Sequence, residues 1–343
     1  MFENTDAYLI LSEENRFYYT GFRSSFGCVI LTQSERFFLT DPRYASEARK
    51  CVTNFTILTT TGAGIYGDIV KVLQKVNAKT VGYEDEFVTV ADYKRISEAL
   101  KDFTLTEASK VFADARVIKT EEEVKKVTLA QALTQTALKK TLPFLKVGVT
   151  EKEVSAEITH QMLLLGADCP AFESIVAFGP NTANPHHHPS DRKLEKNDMV
   201  TIDIGAKLNG YCGDMTRTFC YGTPIDKLAK IHSIVLEAQQ FALKNIKAGM
   251  TGREMHLLAS EYITAHGYGE EFSHSLGHGI GIEVHERPYA SIRSEEVLKE
   301  NMIVSVEPGI YVDGLGGVRI EDLVVIKEDG VVNLNSFDKS INL

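Results

Sequence analysis

Cysteine is scarce in this 343-residue chain, and what there is does not form pairs. Cys28, Cys51, Cys169, Cys212 and Cys220 are scattered, odd in number and contain no CxxC. That excludes a zinc ribbon and a secreted disulfide framework, and predicts reduced thiols in the cytoplasm. No apolar run is long enough to span a bilayer. The first residues, MFENTDAYLI, lack the basic and apolar regions of a signal peptide, so none is expected. Positive charge is in deficit: 37 basic against 47 acidic residues give a net charge of −10, which argues against a nucleic-acid partner. No GxGxxG or GxxxxGK[ST] is present; Gly62-Ala63-Gly64 is a lone glycine pair and reads as a loop. No segment is of low complexity.

What remains is an ordinary globular composition, 43% hydrophobic and 24% charged, of a length that suggests two domains. A core of that size needs no disulfide staples. Residues 1–115 alternate short strands (Ala7–Ile10, Gly27–Thr32, Arg36–Thr40, Phe55–Thr59, Thr80–Tyr83) with helices (Arg43–Lys50, Ile65–Val76, Val90–Leu100), an α/β pattern. Asp114–Thr120 reads as a linker. In residues 116–343 three capping boxes open helices: Thr120 with Glu123, Thr150 with Glu153 and Thr251 with Glu254. A longer helix spans about Ile225–Ile246. Helices set apart from strand pairs predict α+β with an antiparallel sheet.

The chain is organised around Met199–Arg217, which reads as a hairpin. Asn209-Gly210 supplies a two-residue I′ turn, whose central positions both need positive φ. A strict turn sets Asp203 opposite Thr216, with Asp214 diagonal to Asp203 on the same face. Two carboxylates on a core face repel and are costly to bury unless a cation neutralises them. The stretch also repeats. LEKNDMVTIDIG from Leu194 matches LKENMIVSVEPG from Leu298 at an offset of 104 residues. Leu, Asn, Val and Gly are identical, and Asp203 becomes Glu307. Two related half-units facing across one site would explain it; a generic turn-into-strand pattern would leave the matched acid unexplained.

Histidine is clustered. Three of the ten lie at His186-His187-His188 and three within Ser273–Glu286, at His274, His278 and His285. In Val318–Val325, Arg319 and Glu321 alternate with apolar residues and share a strand face, either as a solvated ion pair or as part of a site. Asp203, Asp214, His278, Glu307 and Glu321 together make an oxygen-rich set suited to two divalent ions rather than to structural zinc.

The words IDIG…GDMTRTF, HSLGHGIGIEVHE, VEPGIY and GGVRIED, with YYTGF and TDPRY in the first domain, resemble the pita-bread metallopeptidases. The likeness is to their proline-specific branch, Xaa-Pro aminopeptidase and prolidase. It implies a pita-bread catalytic domain (116–343) behind an α/β creatinase-like N-terminal domain (1–115), and a homodimer. It implies that Asp203 holds one ion, that His278 and Glu307 hold the other, and that Asp214 and Glu321 bridge them. Mn2+ is the first expectation, with Co2+, Zn2+ and Fe2+ as alternatives. Glu307 would shuttle the proton, His186 and His285 would act in catalysis, and His274 would line the proline pocket. Arg319 would contact substrate or orient Asp203 or groups beside Tyr211. His187 and His188 match nothing and read as surface loop. Short prolidases carry an arginine after the histidine matched by His285; here Tyr289 stands there, with Arg287 two residues earlier. That departure favours an aminopeptidase on peptides with proline second, with a dipeptidase as the alternative. A creatinase-like amidinohydrolase or a non-catalytic peptide-binding module on this fold is more distant.

Overall fold

The computed structural model describes every residue except Met1, Glu3, Gly62, Ala63 and Leu343, so the predicted Gly62–Gly64 loop lies mostly outside the described residues. The chain divides into two compact units, Met1–Arg116 and Val117–Leu343. No helix among the described residues is long and apolar enough to cross a membrane.

The first unit runs β1 (Ala7–Ile10), α1 (Glu13–Thr20), β2 (Cys28–Thr32), β3 (Arg36–Thr40), α2 (Pro42–Cys51), β4 (Thr56–Thr59), α3 (Ile65–Lys75), β5 (Thr80–Tyr83), α4 (Val90–Ala99), β6 (Thr104–Glu107) and α5 (Ser109–Val117). Its mixed sheet has the order β4-β3-β2-β1-β5-β6. Strands β1 and β2 have no exposed residue, because helices cover both faces. TDPRY starts α2: Asp41 caps it by accepting from the Arg43 N–H, and Pro42 occupies the first turn, where no N–H is needed. YYTGF ends α1, with Gly21 left-handed at φ 67°. The expected linker is a correction. Asp114–Val117 is the last turn of α5, and only 118–120 are non-helical. The Tyr18 hydroxyl donates to the Ala115 carbonyl at 2.7 Å and holds that turn.

The second unit contains α6 (Glu121–Thr141), α7 (Glu151–Leu164), β7 (Cys169–Pro170), β8 (Ile175–Phe178), β9 (Met199–Ile204), β10 (Ala206–Leu208), β11 (Tyr211–Cys212) and β12 (Met215–Cys220). It continues with α8 (Asp226–Asn245), α9 (Gly252–Ala265), β13 (Gly277–Gly279), β14 (Glu286–Ala290), β15 (Ile303–Val306), β16 (Gly309–Val312), β17 (Gly316–Arg319), β18 (Asp322–Lys327) and β19 (Gly330–Asn333). All three capping boxes form; each cap contributes about 1 kcal/mol.

The sequence repeat extends to the architecture. Two helices precede three antiparallel strands in each half: α6-α7 with β8-β9-β12, and α8-α9 with β13-β15-β18. Each half has its own core, one built on Leu138, Ile158, Val200 and Ile202, the other on Val235, Met255, Val304 and Val324. The identical asparagines now have a reason. Asn197 and Asn301 sit at φ 71° and 65°, a left-handed conformation that asparagine tolerates better than most residues.

Candidate metal centre

The opening hairpin has the register that its turn predicts. Asn209 and Gly210 take φ 49° and 83°, and Asp203 faces Thr216. The hairpin is not one continuous ladder, however. It breaks after Ile204 and again at Gly213-Asp214, so that its tip belongs to a different sheet. A Cβ on Gly205 would lie 2.2 Å from the Gly213 carbonyl, so glycine is required where the two strands cross over. Asp214 therefore stands in a break rather than along a strand. Gln131 of α6 replaces its ladder partner: the Asp214 N–H donates to Gln131 Oε1, and Gln131 Nε2 donates to the Asp214 carbonyl, both at 2.8 Å. Arg319 and Glu321 also differ from the expected shared strand face. Arg319 ends β17, and Glu321 lies in the gap before β18.

The four carboxylates of Asp203, Asp214, Glu307 and Glu321 and the His278 imidazole line one cleft of about 440 Å³. Ligand atoms of Asp214, His278 and Glu321 lie within 4.8 Å of one another. His278 Nε2 is 3.4 Å from Glu307 Oε1 and 3.6 Å from Asp214 Oδ2. His278 Nδ1 is 3.0 Å from the Gly279 carbonyl, which only accepts; the proton is thus assigned to Nδ1 and the Nε2 lone pair faces the acids. Ser305 Oγ accepts the His278 N–H and donates to Glu307 Oε1 at 3.0 Å. Thr216 Oγ1 donates to Glu321 Oε2 at 2.7 Å. Arg319 Nη2 donates to Asp203 Oδ2 at 2.7 Å.

Burial, together with neighbouring carboxylates, pushes the acids of Asp214 and Glu321 well above the usual range and raises Glu307 to about 7. Two buried oxygens, Asp203 Oδ1 and Glu321 Oε1, accept no hydrogen bond from any of the described residues. Such a site is short of positive charge and short of donors. Hard oxygen ligands with one imidazole suit divalent cations, which supply the missing charge and coordinate the unpaired oxygens.

The remaining candidates are spread over the cleft. His186 and His285 are exposed on its wall, and the His285 ring stands edge-on to that of His278, 4.3 Å between centroids. His274 Nε2 lies 2.9 Å from the Tyr311 hydroxyl, and burial beside Arg319 lowers its pKa to about 4. Arg319 is buried. Besides Asp203, its guanidinium donates to the hydroxyl of Tyr311, to Thr216 Oγ1 and to the Pro185 carbonyl. The tyrosine beside Arg319 is thus Tyr311; the Tyr211 hydroxyl donates instead to Glu123. His187 is also a correction. Its side chain is 14% exposed and bonded to the buried Glu151, whereas His188 is on the surface beside Glu173. Arg287 is held in a two-point pair with Glu296, at 2.7 and 3.1 Å, and does not line the cleft; Tyr289 does. Sequence reading missed Gln131, Ser305 and Tyr311 as supports of the site. A glutamine in register with the apolar positions of α6 was the available signal for the first.

Residues 125–328 match the metallopeptidase family M24, and residues 3–118 match the creatinase/prolidase N-terminal domain. The chain is 37% identical to the Xaa-Pro dipeptidase of Pyrococcus furiosus over 99% of this chain and 97% of that protein. Among solved structures, an X-Pro aminopeptidase from Thermotoga maritima superposes with a TM-score of 0.94, at 37% identity over 99% of this chain and 98% of that one. An Xaa-Pro dipeptidase from Bacillus anthracis does so at 0.95, with 39% identity over 99% and 95%. The chain belongs to metallopeptidase family M24, with a pita-bread catalytic unit behind a creatinase/prolidase N-terminal domain.

Proposed function

We propose that this metallopeptidase is an Xaa-Pro aminopeptidase, removing the first residue from peptides whose second residue is proline. One observation carries the choice. Among the described residues lining the cleft, the sole arginine or lysine is Arg319, and four of its five N–H donors are committed to Asp203, Tyr311, Thr216 and Pro185. Arg287, the nearest counterpart of the arginine that would receive the free carboxylate of a dipeptide, is paired with Glu296. A longer peptide, whose carboxylate lies beyond the cleft, needs no such cation.

Asp203, Asp214, His278, Glu307 and Glu321 would hold two divalent ions, Mn2+ in the first instance. Such ions polarise a peptide carbonyl and lower the pKa of water. Glu307, oriented by Ser305, takes the proton of the attacking water and delivers it to the departing proline nitrogen. His285, on the cleft wall, donates to the oxygen on which charge develops. His274, neutral and fixed by Tyr311, lines the proline side. Arg319 acts on substrate through Asp203 and Tyr311 rather than by touching it.

The names of the Pyrococcus furiosus and Bacillus anthracis relatives support a second reading, an Xaa-Pro dipeptidase. Initial rates on an Xaa-Pro dipeptide and an Xaa-Pro-Xaa tripeptide, with Mn2+, Co2+ and Zn2+ in parallel, separate the two. The aminopeptidase reading expects higher kcat/KM on the tripeptide; preference for the dipeptide would overturn it.

A further inference from the structure

The three consecutive histidines between β8 and β9 all line the cleft but are held differently. His186 and His188 are exposed, the latter beside Glu173. His187 turns inward onto Glu151, the first residue of α7, whose side chain is fully buried. That carboxylate accepts five hydrogen bonds. Oε1 takes the Phe178 N–H at 2.8 Å and Asn181 Nδ2 at 2.9 Å. Oε2 takes the Ser190 N–H at 2.9 Å, Ser190 Oγ at 2.6 Å and His187 Nε2 at 2.8 Å. A carboxylate only accepts, so the proton on His187 is assigned to Nε2.

Both ends of the segment Phe178–Ser190 thus converge on one buried side chain. Its middle has a separate anchor, since the Pro185 carbonyl accepts from Arg319 Nη1 at 3.2 Å. The same guanidinium holds Asp203. Between these anchors His186 is exposed on the cleft wall, which His187 and His188 also line. Neither a surface histidine nor a solvated helix-start glutamate explains five convergent bonds.

We propose that Glu151 and His187 are positioning residues for His186, fixing the loop so that His186 meets the substrate over the acid cluster. The proposal rests on the peptidase reading above, in which His186 acts on the bound peptide. Misplacing a catalytic group by about 1 Å costs up to about 100-fold. His187→Ala should therefore lower kcat on an Xaa-Pro-Xaa peptide about 10- to 100-fold, with bound metal unchanged. His187→Gln, which can still donate to Glu151, should restore most of it.

The decisive experiment is a double-mutant cycle with His186→Ala. If His187 acts through His186, His187→Ala in the His186→Ala background should cost no more than about twofold further. Wild-type kcat in His187→Ala, or an undiminished loss in the His186→Ala background, would overturn the proposal. Should the wild type cleave no Xaa-Pro peptide, the functional reading fails, and the clamp is judged by amide hydrogen exchange. Glu151→Gln presents an NH2 to one of its two donor sets. Exchange at Phe178 or Ser190 should then speed up at least about tenfold, and unchanged exchange at both would rule the clamp out.

Discussion

The two halves of the catalytic unit share a frame and use it differently. Thr201 and Ser305 occupy the same place in the repeat, two residues before Asp203 and Glu307 respectively. Thr201 Oγ1 pairs with Thr218 Oγ1 at 2.9 Å, and Thr218 in turn bonds the backbone of Arg319. In the second half, Ser305 Oγ bonds the His278 N–H and Glu307 itself. One hydroxyl ties strands together; its counterpart aims two of the five candidate ligands. The acids differ as well: Asp203 is steadied by an arginine, whereas Glu307 accepts from the neutral hydroxyl of Ser305. A duplicated scaffold therefore fixes where the acids emerge, while local partners decide how firmly each is held and how readily it takes a proton.

The largest effect expected from breaking this arrangement is at the junction of the halves. Asp214→Ala should reduce peptidase activity to background, because Asp214 is the acid that lies with His278 and Glu321 of the other half. Activity assays with excess Mn2+ check this; near-wild-type turnover would show that the halves need not meet there.

A second expectation concerns pH and metal-free protein. Glu307 is raised from its ordinary 4.5 to about 7, and Asp214 and Glu321 are raised well above the usual carboxylate range. Folded protein then binds more protons at these acids than the unfolded chain, so their contribution is lost as pH rises through the folded values. Buried His274, lowered from 6.5 to about 4, pulls the other way, but only below pH 6.5. Thermal unfolding of metal-free protein should therefore show stability falling with pH above about 6.5, and Mn2+ should abolish the fall. A slope unaffected by Mn2+ would place the titrating groups elsewhere.

The smallest pair of effects separates the two hydroxyls. Ser305→Ala should lower activity about tenfold through misdirected ligands. Thr201→Val should leave activity intact and cost about 1 kcal/mol of stability in urea unfolding. Equal effects on activity would erase the distinction between the halves.

Much of this was legible in the chain because its signals are local. Asn209-Gly210 set the register of Asp203 against Thr216, and the three capping boxes marked helix starts. The repeat announced matched acids, and the structure added that its two identical asparagines serve left-handed positions. What escaped depends on distant partners. Asp214 and Glu321 read as strand residues because nothing in their own segments shows that glycines bend the hairpin, or that Gln131, 83 residues away, replaces a ladder bond. His187 read as surface because Glu151, 36 residues earlier, is indistinguishable in sequence from an ordinary helix-start acid. The reach of Arg287 was open in the sequence because nothing there marks Glu296, nine residues on, as its partner.

The central claim is that two related halves bring their acids together as one cation site. Calorimetric titration of chelator-stripped protein with Mn2+ tests it most directly. The account predicts two ions per chain, with binding lost at both sites in Asp214→Ala. Saturation without heat in the wild type, or two intact sites in Asp214→Ala, would contradict it.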